Sequence, residues 1–223
     1  MTIKLFFGAI TKFLLGIAII GLLIFLPAGT LSFFNGYLLM GLLFIPMLFA
    51  GIVLMLKNPE LLEKRLKAKE EQKEQSLVVM LSGLMFFFGF AVAGFGFRFS
   101  WFILPKGVVL GASVLFLAAY ILYAEVMREN TYLSRTIEVQ ENQKVIDTGL
   151  YAIVRHPMYS VTLLLFLSMP LVLGSIYSFL IFLVYPFIIA KRIKGEEEFL
   201  EKELDGYIEY KKKVKYRLIP FIW

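Results

Sequence analysis

The stretch Tyr151-Ala-Ile-Val-Arg-His-Pro-Met-Tyr159 holds the chain's only histidine and sets Arg155 and His156 directly before Pro157. Pro157 opens an apolar run, so two cationic or titratable groups stand where a helix enters a membrane. Proline is tolerated at the first helical position because its missing N–H would lack a partner there, and it pushes the preceding residue out of helical conformation. His156 is therefore expected to aim outward, toward an anionic or cofactor-sized ligand. A second pair, Arg192 and Glu196, lies four residues apart and shares one helix face, where the two can bond each other or flank one ligand. With Gln140, Tyr151 and Tyr159 these groups make a candidate site of mixed polarity. The chain has no cysteine, which removes disulfides, thiolate nucleophiles and cysteine-based metal centres. One histidine without a serine elbow offers no Ser–His–Asp set, and neither a Walker loop nor a His-Glu-x-x-His pattern occurs. Taken singly, an Arg-His pair at a membrane boundary reads as a headgroup anchor, and Arg192/Glu196 as a solvated helix face. Their coincidence on one predicted membrane face is what favours a site.

The elements that must position these groups are membrane helices. Of the 223 residues, 59% are hydrophobic and 18% charged, far from the soluble average, and the mean hydropathy is positive. The net charge of +6 sits beside apolar runs rather than in a basic and aromatic groove, so the positive-inside rule explains it and no nucleic-acid partner is expected. Residues 1–12 read as an interfacial start. Spans follow over about 13–34, interrupted by Pro27, and over 36–56, 77–97 and 107–127, each near the roughly 20 apolar residues needed to cross. Pro157–Leu173 and Ser175–Ala190 are shorter and read as a tight helical hairpin turned at Gly174-Ser175. The fold expected is all-α, a polytopic bundle of about six transmembrane helices with a C-terminal helix outside the membrane. Gly107 and Gly111 form a GxxxG pair suited to close helix packing.

Two parts follow from this division, residues 1–127 with a charged connector at 57–76, and residues 128–223 with the candidate site. The connector reads as a short solvated helix. In the second part Thr136–Gln140 and Lys144–Ile146 flank Glu141-Asn142-Gln143 and suggest a small hairpin or extended clip, followed by a turn at Asp147-Thr148-Gly149. With a cytoplasmic N-terminus and six spans, the connector, the motif loop and the C-terminal tail share the cytoplasmic side, while Arg98 and Lys106 lie outside.

The ordered set Asp147-Thr-Gly-Leu-Tyr-Ala-Ile-Val-Arg-His-Pro-Met-Tyr159, a helical hairpin, Arg192-Ile-Lys-Gly-Glu-Glu-Glu-Phe-Leu200, Tyr207-Ile-Glu-Tyr210 and Lys211 to Pro220 resembles the isoprenylcysteine carboxyl methyltransferase family. More loosely it is similar to the phospholipid methyltransferases. The resemblance covers about residues 130–223. It implies S-adenosylmethionine as cofactor, in contact with Gln140, the Gln143, Lys144, Val145 and Ile146 stretch, Tyr151, and the His156, Pro157, Met158 and Tyr159 turn. It further implies that Glu196 holds the cofactor's amino-acid end or its charge and that Arg192 faces the methyl acceptor. Membrane lipids and a lipophilic or lipidated acceptor are the implied partners, the acceptor a carboxylate of the isoprenylcysteine type. An aminolipid N-methyltransferase is the alternative within enzymes, and a non-catalytic membrane protein or transporter the alternative outside them. A transporter predicts ionisable groups lining mid-span, and apart from Lys12 and Glu125 near span ends the spans contain none.

Overall fold

The computed structural model describes residues 3–66, 73–133 and 137–223. The elements are α1 (Ile3–Ala28), α2 (Phe34–Lys57), α3 (Pro59–Leu66), α4 (Lys73–Arg98), α5 (Lys106–Glu129), a 3-10 turn (Gly149–Ala152), α6 (Pro157–Val172), α7 (Ile176–Phe182), α8 (Tyr185–Glu203) and α9 (Tyr207–Lys213). Among the described residues there is no strand, as the all-α reading requires. Five segments are long and apolar enough to cross a membrane, namely α1 from Leu5, α2, α4 from Ser76, α5, and α7 with α8 taken together. α6 is apolar, but its 16 residues fall short of a full crossing, so among the described residues five spans are long enough where about six are expected.

The chain runs up and down so that the start of α6, the ends of α2, α5 and α8, and the whole of α3 and α9 gather at one end. At the other end the α6–α7 turn is pinned by a backbone bond from Leu104 N–H to the Gly174 carbonyl (2.9 Å). Gly174 takes φ +75°, and a Cβ there would lie 2.9 Å from the Asn35 amide, so glycine is required twice over. Buried side chains such as Ile24, Leu39, Phe90, Phe116, Phe182 and Ile193 fill the centre.

Several expectations are corrected. α1 runs unbroken from Ile3 to Ala28, so the first apolar span begins near Leu5 rather than 13 and ends before 34, with Pro27 within its last turn. Residues 67–72 of the connector lie outside the described residues, but its first part is not merely solvated: Asn58 Oδ1 accepts from Leu61 N–H (3.1 Å), Pro59 opens α3, and Leu61 and Leu62 are buried in the bundle. The second limb of the hairpin breaks at Leu183-Val184, then runs as one helix from Tyr185 through Glu203, so Arg192 and Glu196 continue the helix of the last span rather than opening a new one. The clip over 137–146 forms a turn without strand pairing, and Thr136 lies outside the described residues. The GxxxG pair is not a packing seam within the chain, because a Cβ at Gly107 or Gly111 would meet nothing within 4 Å.

Close packing occurs instead between α1 and α4, where a Cβ at Gly94 would come 2.5 Å from the Ile24 carbonyl oxygen. Backbone cannot swing aside as a side chain would. Gly94→Ala is accordingly expected to destabilise the protein by about 1–3 kcal/mol, and Gly111→Ala to be neutral or slightly stabilising. Melting temperatures of the two variants in one detergent check the contrast.

Candidate active site

Pro157 does what its position dictates. His156 caps α6 with φ −124° and ψ 61°, outside the helical region, and Pro157 takes the first turn. The side chain does not aim outward, however: Arg155 and His156 are both buried. Their backbone N–H groups donate to the carbonyls of Tyr216 (2.8 Å) and Arg217 (2.9 Å), which straps the C-terminal segment across the motif. At the centre is Glu197, 2% exposed. It accepts from Arg155 Nε (2.7 Å) and Arg217 Nε (2.8 Å), and its Oε1 lies 3.2 Å from His156 Nε2. Arg155 Nη1 also donates to the Val214 and Lys215 carbonyls, both at 2.8 Å. Arg155 is thus a structural cation, saturated by a carboxylate and two carbonyls, rather than a headgroup anchor.

One residue back on α8, Glu196 points elsewhere. Tyr159 donates its hydroxyl hydrogen to Glu196 Oε2 and accepts from Arg192 Nε (2.8 Å), while His156 Nδ1 stands 3.9 Å from Glu196 Oε1. The His156 and Tyr159 rings stack at 5.7 Å between centroids. Arg192, Tyr159 and Glu196 therefore form one connected wall between α6 and α8.

That wall lines a cavity of about 660 Å³, large enough for a cofactor or a substantial part of a lipid. Its polar end is closed by the clip. Gln140 N–H donates to Gln143 Oε1 (2.9 Å), Gln143 N–H returns to the Gln140 carbonyl (3.0 Å), and Gln140 Nε2 holds the Tyr132 carbonyl (2.7 Å). Tyr151 accepts from Asn130 Nδ2 (3.0 Å), and its carbonyl takes the Tyr210 hydroxyl (2.7 Å). Gly149, at φ +50°, lets the chain turn beneath Glu129, whose Oε1 a Cβ would overlap at 1.4 Å. The other arm is apolar and lies among the membrane helices, lined by Leu43, Met47, Val79, Phe86, Phe116 and Met169.

Tyr207 is the unexplained group. It lines the same cavity and is 4% exposed, yet its hydroxyl has no hydrogen-bond partner among the described residues. Burial, followed by the charges of Glu197 and Glu196, raises its phenol well above the ordinary range, so it stays a donor. A buried donor without a partner costs free energy and calls for an acceptor from a ligand.

Of the residues expected at the site, Gln143, Lys144, Val145, Ile146, Tyr151, His156, Met158, Tyr159, Arg192 and Glu196 line the cavity. Gln140 lies outside the lining and holds the clip turn, and Pro157 is buried behind the wall. Sequence reasoning did not assign Glu197, Tyr207, Tyr210 or Arg65. Tyr207 and Tyr210 carried one signal, a three-residue spacing that puts both on one helix face.

Residues 106–205 match the family model for phospholipid methyltransferase, a family related to the isoprenylcysteine carboxyl methyltransferases. No curated protein matches the chain. The matched stretch runs from α5 through α8 and so contains the clip, the Arg-His-Pro turn and the Arg192/Glu196 wall. The apolar helices fit a multi-pass integral membrane protein, and over residues 106–205 the chain is similar to phospholipid methyltransferases.

Proposed function

We propose that the chain transfers a methyl group from S-adenosylmethionine to a lipophilic acceptor at the cavity between α5, α6 and α8. The observation that carries this reading is one cavity with two solvent characters, a polar end furnished by the motif residues and an apolar arm reaching between the membrane helices. The residues present fit the cofactor. Tyr207 offers a buried donor without a partner, Glu196 a carboxylate for a cationic group, and Gln143 an amide at the rim. When bound, the cofactor supplies an electrophilic methyl carbon, to which the acceptor bonds as the carbon–sulfur bond breaks and sulfur keeps the electron pair.

What the chain contributes is alignment and charge placement, which suffice for such a displacement. Tyr159 fixes Glu196 and Arg192 relative to each other through its single hydroxyl. Arg192 suits a carboxylate acceptor of the isoprenylcysteine type, which needs no base. The family match favours a second reading, an aminolipid acceptor; there the ammonium must shed a proton before attack, and Glu196, which lines the cavity as Glu138 does, supplies a carboxylate to take it. The excess of Lys and Arg at the site end supports a cytoplasmic orientation for the polar mouth and both termini.

Incubating the purified protein in nanodiscs with labelled S-adenosylmethionine and separately supplied prenylcysteine and aminolipid acceptors tests the reading. Saturable binding with label appearing in one lipid fraction is expected; absence of saturable binding overturns it. Tyr207→Phe gives a sharper check. Because its hydroxyl bonds none of the described residues, the variant is expected to keep or slightly raise its melting temperature while S-adenosylmethionine binding weakens by about tenfold, the worth of one hydrogen bond.

A further inference from the structure

We infer that Arg65 on α3, at the mouth of a gap between α2 and α4, anchors the acceptor lipid through the phosphodiester of its headgroup; this rests on the methyltransferase reading above. Arg65 lies outside the family-matched segment but lines the same cavity. Its guanidinium donates to the Tyr123 hydroxyl and stands 5.6 Å from the centre of that ring. A guanidinium carries five N–H donors in a fork that matches phosphate oxygens, and the tyrosine takes one of them. Among the described residues no carboxylate forms an ion pair with Arg65, in contrast to Arg155, which Glu197 and two carbonyls occupy. The half-buried cation is also held in place. α3 is capped by Asn58, sunk into the bundle by Leu61 and Leu62, and tied at its end by Lys12 Nζ donating to the Leu66 carbonyl.

The position of this cation argues for a particular acceptor chemistry. Arg65 lines the same cavity as Tyr151 and Glu196 and adds a cation to it from outside the Arg-His-Pro turn and α8. In a carboxylate acceptor the anion is itself the nucleophile and belongs at the reacting centre, beside Arg192; a cation on α3 would have nothing to hold. In a phosphodiester aminolipid the anion and the nucleophilic nitrogen are separated by two carbons. Such a molecule needs two recognition points, and the cavity offers a carboxylate on α8 and an arginine on α3.

The apolar side shows how the tails enter. Met47 on α2 and Val79 on α4 line the cavity while 36% and 40% exposed, so the wall is open to the surroundings between these helices. Gly83 lies on the same rim, and a Cβ there would meet nothing within 4 Å. The neighbouring seams are closed: Tyr120 donates to the Leu43 carbonyl (2.8 Å) across α5 and α2, and Phe86 packs edge-on to Phe166 at 4.8 Å across α4 and α6. A lipid can thus leave its acyl chains in the gap with its phosphate at Arg65.

The test uses the full chain in nanodiscs, with phosphatidylethanolamine and N-acetyl-S-farnesylcysteine as acceptors. Lipid retention by native mass spectrometry and S-adenosylmethionine affinity are measured alongside turnover. Arg65→Ala is expected to raise KM for phosphatidylethanolamine about tenfold or more and to reduce its retention, with S-adenosylmethionine affinity unchanged, and Arg65→Lys to recover part of the loss. Gly83→Phe, which fills the gap without touching the polar end, is expected to raise the same KM. The inference is overturned if Arg65→Ala leaves KM and retention unchanged, if it weakens cofactor binding equally, or if farnesylcysteine suffers the same shift. Failure of the wild-type protein to bind S-adenosylmethionine would overturn the methyltransferase reading instead, while the retention measurement still decides the role of Arg65.

Discussion

Glu197→Ala is expected to destabilise the protein by about 3–5 kcal/mol, the cost of stripping the partner from buried charges. For a chain of this size that corresponds to a fall of roughly 10 °C in melting temperature, read by thermal unfolding in detergent at one scan rate. The reason is that Glu197 neutralises a cluster rather than a single partner. Both its oxygens are engaged, one by Arg155 and His156 and the other by Arg217. Without it, Arg155 stays buried with only the dipoles of the Val214 and Lys215 carbonyls to balance its charge. The C-terminal strap over the motif would loosen as well. Glu197→Leu combined with Arg155→Met is expected to melt above Glu197→Ala, since replacing the buried Arg155–Glu197 pair by apolar groups is less costly than leaving Arg155 buried alone, and Arg217 is part-exposed. A melting temperature within about 2 °C of wild type for Glu197→Ala would show that the cluster is not needed for stability.

How much of this was legible in the sequence depends on the range of the interaction involved. Long apolar runs locate α1, α2, α4 and α5 because crossing hydrocarbon demands length and apolarity from the segment itself, a local property. The turn at Gly174 and the non-helical His156 are local too, fixed by glycine and by the following proline. The inward aim of His156 was not legible. It is decided by Glu197, 41 residues away in sequence, and nothing in the Arg-His-Pro tripeptide says whether a partner waits inside. The break between α7 and α8 had one signal, Pro186 in the first turn of α8, and a continuous apolar run concealed it. Arg65 looked like one charge in a charged connector; only the packing of Leu61 and Leu62 against the bundle turns α3 so that it reaches the cavity. Glu196, Glu197 and Glu198 are identical residues in a row, so composition cannot separate them.

The helix separates them, and their substitutions are expected to diverge accordingly. Successive residues on α8 are rotated by about 100°, which sends the three carboxylates into three environments. Glu198 is exposed, and Glu198→Gln is expected to change neither melting temperature nor turnover measurably. Glu197 is enclosed by cations, and its loss is a folding defect. Glu196 is half-buried at the cavity wall, held by Tyr159 and facing the space in which a cationic cofactor would sit. Glu196→Gln preserves the shape and the bond from Tyr159 but removes the charge. It is therefore expected to weaken S-adenosylmethionine binding by about 2–4 kcal/mol, roughly 30- to 1,000-fold in Kd, with the melting temperature of the ligand-free protein almost unchanged. Equilibrium binding and unfolding measured on the same preparations separate the two effects. Should Glu196→Gln bind the cofactor as tightly as wild type while Glu198→Gln does not, the carboxylate that meets the ligand would be the outward one, and the wall of Arg192, Tyr159 and Glu196 would lose its role in binding.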